Sequence, residues 1–230
     1  MTNEKQLVGE KAAEFIQDGM TVGLGTGSTA YYFVLALAER IKNEGLKIVG
    51  VPTSIATAEL AQEQGITIRS IDEVEQLDIT VDGTDEFDDD LNGIKGGGGA
   101  LLIEKIVANN SQEIIWIADH TKKVDQLGAF PLPVEVITEG SQQLLRYFEE
   151  KGYHPTLRLD SEGNPYVTDH KHYIIDLHLE KITHPYDLAE ELIHLVGVVE
   201  HGLFLNRANK VIIAEDDAAQ IITKKAKRQD

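Results

Sequence analysis

"MTVGLGTGSTAYYFVLALAERI", residues 20–41, decides the fold. Residues 20–24 form a short apolar run ending at Gly25, which suits a buried strand, and residues 30–41 carry apolar side chains at helical spacing. Between the two lie Gly23, Gly25 and Gly27 at alternate positions, then Ser28 and Thr29. A strand that turns through glycines into a helix leaves the unpaired amides of the first helical turn facing outward, an arrangement that binds phosphate. Ser28 and Thr29 add hydroxyls to it. The plainer reading is a helix cap with glycines for a tight turn, but three alternate glycines exceed what a cap needs. Gly25, Gly27 and Ala30 also fit the dinucleotide fingerprint G-x-G-x-x-A, which calls for an acidic residue at the end of the next strand. That strand ends Val51-Pro52-Thr53-Ser54, without a carboxylate, and the dinucleotide reading weakens.

Outward from this stretch, strands and helices alternate. Residues 4–16 read as an amphipathic helix and residues 46–51 as a β-rich run; Pro52-Thr53-Ser54 is a helix-start signature before helical residues 55–64. Short strands are expected at 66–68 and 77–81, a helix at 103–109 and a strand at 113–118. This alternation predicts an α/β fold with a doubly wound, mostly parallel, Rossmann-like sheet. At "FPLPVEVI" the pattern changes: strand-like stretches at 134–137, 156–159 and 173–179, helices at 141–151 and 185–195 and a turn at 161–164 suggest a second, smaller α+β domain. The division expected is residues 1–130 plus 204–230 for the first domain, with 131–203 inserted. "VIIAE" at 211–215 reads as a buried strand returning to the first sheet, and "TKKAKRQD" as a solvated end.

A hydrophobic content of 42% with 26% charged residues places the 230-residue chain among globular proteins with a sizeable core. With no cysteine, disulfides, thiolate metal sites, iron–sulfur clusters and cysteine nucleophiles drop out. No signal-like or membrane-length apolar run is present, which makes the cytoplasm the expected location. The formal charge of −18 repels phosphate backbones and anionic membrane surfaces, so neither nucleic acid nor membrane is an expected partner. The same field repels a small phosphorylated ligand, which then needs a local trap of amides and cations.

Two further loops follow strands. In "VDGTDEFDDD", Asp82 and Asp85 can face one pocket if Gly83 turns the chain; spacing alone leaves them open between turn capping and catalysis. A Mg²⁺ carboxylate pair is one metal reading. A calcium loop is the other, since Asp88, Asp90, Asn92 and Gly93 match its opening, but its twelfth position is Gly99 instead of glutamate and the match fails. Residues 88–90 then read as a solvated turn. In "IKGGGGALLIEKIVANN", residues 94–110, Lys95 and the glycines that follow put a cation and unhindered amides at a helix start, a site for developing negative charge, with Glu104 close by. If the three loops converge, they suit proton abstraction next to a carbonyl: a carboxylate base, and electrophilic groups that stabilise an enediolate. That is aldose–ketose isomerisation of a small sugar phosphate, for which no metal and no redox cofactor are required. His170 and His172 fall two apart without a third ligand and read as surface residues, and Trp116 in "IIWIA" reads as core.

"GLGTGST", "DGTDEFD", "IKGGGGALLIEKIVA", "ADHTKKV", "FPLPVEV" and "GLFLNRA", in this order, resemble type A ribose-5-phosphate isomerase over essentially the whole chain. The resemblance implies interconversion of ribose 5-phosphate and ribulose 5-phosphate in the non-oxidative pentose phosphate pathway, without a cofactor. It implies Glu104 as the base moving a proton between C2 and C1, and Asp82 and Asp85 as the groups that handle the sugar hydroxyls and ring opening. Lys95 and the amides of Gly96, Gly97 and Gly98 then stabilise the enediolate. Thr26, Gly27, Ser28, Thr29, Gly83, Thr84 and Lys122 line the substrate site, with Lys123 adjacent to the last. Relatives commonly read LREK where this chain has Leu102-Ile103-Glu104-Lys105, so a positive charge beside the base is missing. The family implies a homodimer or homotetramer to which the second domain contributes. An aminosugar-phosphate isomerase or a CoA transferase shares such a sheet but lacks the combined aspartate, glycine-run and glutamate set. A sugar-phosphate sensor normally carries a DNA-binding module, which a chain of pI about 4.8 with no spare basic domain does not supply.

Overall fold

A computed structural model describes residues 3–215 and 218–224. The N-terminal stretch forms α1 (Glu4–Ala13), and residues 20–41 fall in β1 (Thr21–Leu24) and α2 (Ser28–Glu44), which ends at Gly45 in the left-handed region. β2 (Val49–Pro52) leads into α3 (Ile55–Glu63), where the Ser54 hydroxyl caps the helix by accepting from the Thr57 amide. There follow β3 (Leu77–Gly83), the two-residue strands β4 (Glu86–Phe87) and β5 (Gly93–Ile94), α4 (Leu101–Asn109) and β6 (Ser111–Asp119). The next set is β7 (Leu132–Val136), α5 (Ser141–Glu150), β8 (Pro155–Leu157), β9 (Tyr173–Leu177), α6 (Pro185–Ile193) and β10 (Val198–His201). β11 (Leu203–Phe204), β12 (Lys210–Glu215) and β13 (Ala218–Thr223) complete the described chain.

The main sheet runs β13-β12-β6-β3-β1-β2, parallel throughout except for β13 at its edge. The winding reverses between β1 and β3, and in such sheets the crevice at the reversal, beyond the carboxyl ends of the strands, is where ligands bind. The loops after β1 and β3 open into it. Because side chains alternate across a strand, Ile115, Ile117 and Ile212 pack with Val8, Phe33 and Leu37 of α1 and α2, while Ile114, Trp116, Val211 and Ile213 face Phe87 and Phe204 on the other side. Burial on both faces explains why these strands read as unbroken apolar runs. Trp116, 1% exposed, is core as expected.

A second sheet, β10-β7-β9-β8, is antiparallel and has its own core, including Val134, Val136, Phe148, Ile175, Leu177 and Leu192. Between the two lies a small sheet, β11-β5-β4, in which Leu203 pairs with Ile94 and Phe204 with Gly93. Just beside it the Lys95 amide donates to Gly202 O (2.9 Å). Gly93 has no room for a side chain: a Cβ there would stand 2.6 Å from the Trp116 ring.

Several readings differ, and the short strands β4, β5, β10 and β11 match no expected strand. Residues 66–68 form no strand; their pairing is confined to a bridge between Ile68 and Gly50 before the chain turns at Ser70. The edge strand β13 was not anticipated, because it is solvated and carries no buried apolar run. Of the expected solvated end, Thr223 belongs to β13, Lys224 is exposed, and residues 225–230 lie outside the described residues. No helix among the described residues is long and apolar enough to cross a membrane.

Candidate active site

The loops after β1 and β3, the glycine run and the first turns of α4 meet around a cavity of about 120 Å³. Its wall holds Thr26, Gly27, Ser28, Thr29, Gly83, Thr84, Asp85, Lys95, Gly96, Gly98, Glu104 and Lys122, all read from the sequence, and Lys5 of α1, which was not.

Lys95 is the hub. Its ammonium, 3% exposed, lies 3.0 Å from Asp82 Oδ2 and 3.1 Å from Glu104 Oε1, and donates to Gly83 O at 2.7 Å. Asp82 stands behind the wall, because its carboxylate is fully engaged: Oδ2 faces Lys95 and Oδ1 accepts from the amides of Thr26 and Gly83. Glu104 faces the cavity, and its second oxygen, Oε2, is buried without a hydrogen-bond partner among the described residues. Burial, and then the neighbouring Asp82 charge, push the Glu104 carboxyl up to about 8 against the opposing pull of Lys95. Burial raises Asp82 as well, with Lys95 pulling it back. Burial alone would lower the Lys95 ammonium, but the Asp82 and Glu104 carboxylates outweigh it, and Lys95 stays charged.

Gly97 lies outside the wall; its amide is spent on Asp85 Oδ2 (2.8 Å), which fixes that carboxylate at the mouth. Thr26 lines the cavity, but its hydroxyl turns to Thr53 (2.7 Å) and Ser54 (2.9 Å) at the start of α3. At the other end, α2 starts at Gly27 (φ 102°) with no side-chain cap, so its first amides stay open. Lys5 Nζ donates to Ser28 Oγ (2.8 Å), and Glu4 accepts from or pairs with His120 (2.9 Å), which draws α1 toward the turn carrying Lys122. Lys123 points elsewhere, to Asp89 at 3.0 Å. Lys5, Lys95 and Lys122 are thus the local cations that the overall charge demands.

Ile103 packs with Val51, Leu77 and Val107, away from the partners of Glu104. Asp88 closes its own turn by accepting from the amides of Asp90 and Asn92. His170 is exposed, whereas His172, expected at the surface, is half-buried and meets buried Glu135 at 3.0 Å; both lie in the turn where Thr168 N donates to His172 O.

Gly25 lets β1 approach Asp82: a Cβ would sit 2.2 Å from its Oδ1. Gly25→Ala therefore has to displace the carboxylate that holds Lys95, and we expect a loss of about 1–3 kcal/mol in chemical denaturation together with reduced turnover.

A buried carboxylate and ammonium at the reversal of a parallel sheet, facing an open helix start, define an α/β enzyme of the acid–base kind. The family model of ribose 5-phosphate isomerase A (phosphoriboisomerase A) matches residues 49–218. A ribose-5-phosphate isomerase A of Enterococcus faecalis is 58% identical over 96% of this chain and 97% of its own length, and one of Streptococcus suis is 57% identical over 98% and 100%. Among solved structures, a D-ribose-5-phosphate isomerase in complex with phospho-erythronic acid superposes with a TM-score of 0.93 at 37% identity, covering 96% of this chain and 100% of that one. The enzyme of Methanocaldococcus jannaschii gives 0.91 at 37% identity over 96% and 98%. The chain belongs to the ribose 5-phosphate isomerase A family and carries its isomerase activity in the pentose phosphate pathway.

Proposed function

We propose that this isomerase interconverts D-ribose 5-phosphate and D-ribulose 5-phosphate through an enediolate, with Glu104 as the base. Glu104 carries the reading: it is 5% exposed, one oxygen is held by Lys95, and the other is buried without a partner among the described residues. In the open-chain aldose, Oε2 takes the C2 proton and the electron pair moves into a C1–C2 double bond, leaving negative charge on the C1 oxygen. Lys95 and the amides of Gly96 and Gly98 face that charge; the proton of the C2 hydroxyl passes to the C1 oxygen, and as the C2 carbonyl forms the carboxylic acid returns its proton to C1. Asp85, at the mouth, exchanges protons with the sugar hydroxyls and assists ring opening. Asp82 acts through Lys95, which it holds in place. The phosphate sits at the start of α2, on the Ser28 and Thr29 amides and hydroxyls, between Lys5 and Lys122. That a solved relative is in complex with phospho-erythronic acid supports the enediolate reading, since the carboxylate of that acid has the charge and shape of an enediolate end. No metal or redox cofactor enters this scheme. We further read residues 131–203 as an inserted domain and the chain as a homodimer or homotetramer, supported by the second core, most of whose buried residues lie in that segment, and by exposed Ile137, Ile193 and Val196.

The pH profile of chelator-treated protein acting on ribose 5-phosphate tests the assignment. The base must be ionised and its pKa is raised, so kcat/KM should climb with pH through about 8 and level off above it. Asp82→Asn removes a charge that raises Glu104, and the limb should move to lower pH. A profile that is flat from about pH 5 to 9, or a limb that moves upward in that variant, removes Glu104 from the role.

A further inference from the structure

Four adjacent glycines have the greatest backbone freedom a chain can have, yet two of their amides must keep fixed directions. Two restraints come from nearby: Gly97 N donates to Asp85, and Gly99 N donates to Gly96 O (3.0 Å). The remaining one comes from the second sheet. Arg158, just beyond β8, donates from Nη1 to Gly96 O (2.8 Å) and Gly97 O (3.1 Å). The rest of its guanidinium is locked to Asp176 of β9, Nε to Oδ2 at 2.9 Å and Nη2 to Oδ1 at 2.5 Å. That two-pronged geometry fixes the plane of the fork. Its backbone is tied down too, since Arg158 N donates to Ile174 O.

In a planar trans peptide the carbonyl oxygen and the following N–H point in opposite directions. Gripping Gly96 O and Gly97 O therefore sets the directions of the Gly97 and Gly98 N–H groups. The first goes to Asp85; the second has no partner among the described residues, and Gly98 lines the cavity. A cation on the carbonyl also polarises the N–H at the far end of the same peptide. We infer that Arg158 is a positioning residue for the isomerisation: anchored by Asp176, it holds the glycine-run carbonyls so that the Gly98 N–H meets the developing enediolate oxygen. The inference rests on the role proposed above for that run.

The test compares Arg158→Gln and Asp176→Asn with the unaltered enzyme. For Arg158→Gln we expect kcat lower by ~10–10², less than the full loss of an oxyanion donor because the amide is loosened and not removed, with KM changed less than about threefold. Inhibition by phospho-erythronic acid should weaken in step with kcat, while a pentitol 5-phosphate, which has no carboxylate, keeps its affinity. Asp176→Asn should show the same split at smaller amplitude, and it carries the test should Arg158→Gln fail to fold. Unchanged kcat, or equal losses for the acid and the pentitol, overturns the inference. Glu104→Gln assayed alongside separates the two levels: an inactive Glu104→Gln with a normal Arg158→Gln sinks only the role of Arg158, whereas an active Glu104→Gln sinks the reading beneath it.

Discussion

Glu104→Gln should bind ribose 5-phosphate with a nearly unchanged KM while kcat falls by at least ~10². The amide is close in shape and can still accept from Lys95 through its oxygen, so the wall and the hub stay in place. What disappears is Oε2, the basic oxygen buried without a partner among the described residues, and with it the site that accepts the C2 proton. Steady-state rates of ketose formation measure the effect, and proton exchange at C1 of ribulose 5-phosphate in deuterated water gives an independent readout that should fall by the same factor. Near-normal turnover or exchange would assign the proton transfer to another group.

Lys95→Met should be the most damaging single change to stability and activity together. Methionine fills much of the lysine stem's volume but leaves Asp82 and Glu104, 2% and 5% exposed, without their shared cation. Removing one partner from a buried ion pair typically costs about 3–5 kcal/mol, since the remaining charge is stranded. Both carboxylates are already raised by burial, and without Lys95 both rise further. A carboxyl whose folded pKa exceeds its unfolded one contributes stability below the unfolded value and loses it as pH climbs through the folded value. The variant should accordingly be least stable above neutrality and recover as the solution is acidified toward about pH 5, as read from urea midpoints. Turnover should fall by ~10²–10³, because the charge that faces the enediolate is gone. Adding Asp82→Asn should restore part of the stability and none of the turnover. A Lys95→Met protein as stable as the unaltered chain would mean that Lys95 is not the charged partner that holds the two buried carboxyls.

Much of this site was visible in the sequence because its parts lie in short segments at strand ends. Glycines at 23, 25 and 27, Asp82 at the end of an apolar run, and Lys95 before a glycine run each carry a local reason to be where they are. Lys5 and Arg158 carry none. Lys5 is one of several charged residues on a short helix and reaches Ser28 only because α1 packs against α2; Arg158 meets Gly96 at a sequence separation of 62. The strands that escaped reading are those without a period to read. β4, β5 and β11 are two residues long, β10 has four residues of which only His201 is buried, and β13 is a solvated edge. Conversely, Ile66-Thr67-Ile68 has strand-like composition, yet the chain gives it only a single bridge before turning away. The role of Ile103 also needed three dimensions: adjacency to Glu104 in sequence suggested an influence on the base, whereas the helix turns it toward Val51 and Leu77.

The backbone pairing of Lys95 with Gly202 has an architectural consequence. Gly202 sits where the polypeptide comes back from the β7–β10 sheet, and a methyl group there would approach Lys95 O to 2.3 Å. The reactive ammonium is therefore seated on a seam sewn by both ends of the molecule's longest excursion. Excising residues 131–203, or transplanting them from a homologue with a different seam, would unseat the ammonium even though none of the excised side chains lines the cavity, so any recombined enzyme has to inherit residues 93–95 and 202–204 as one unit.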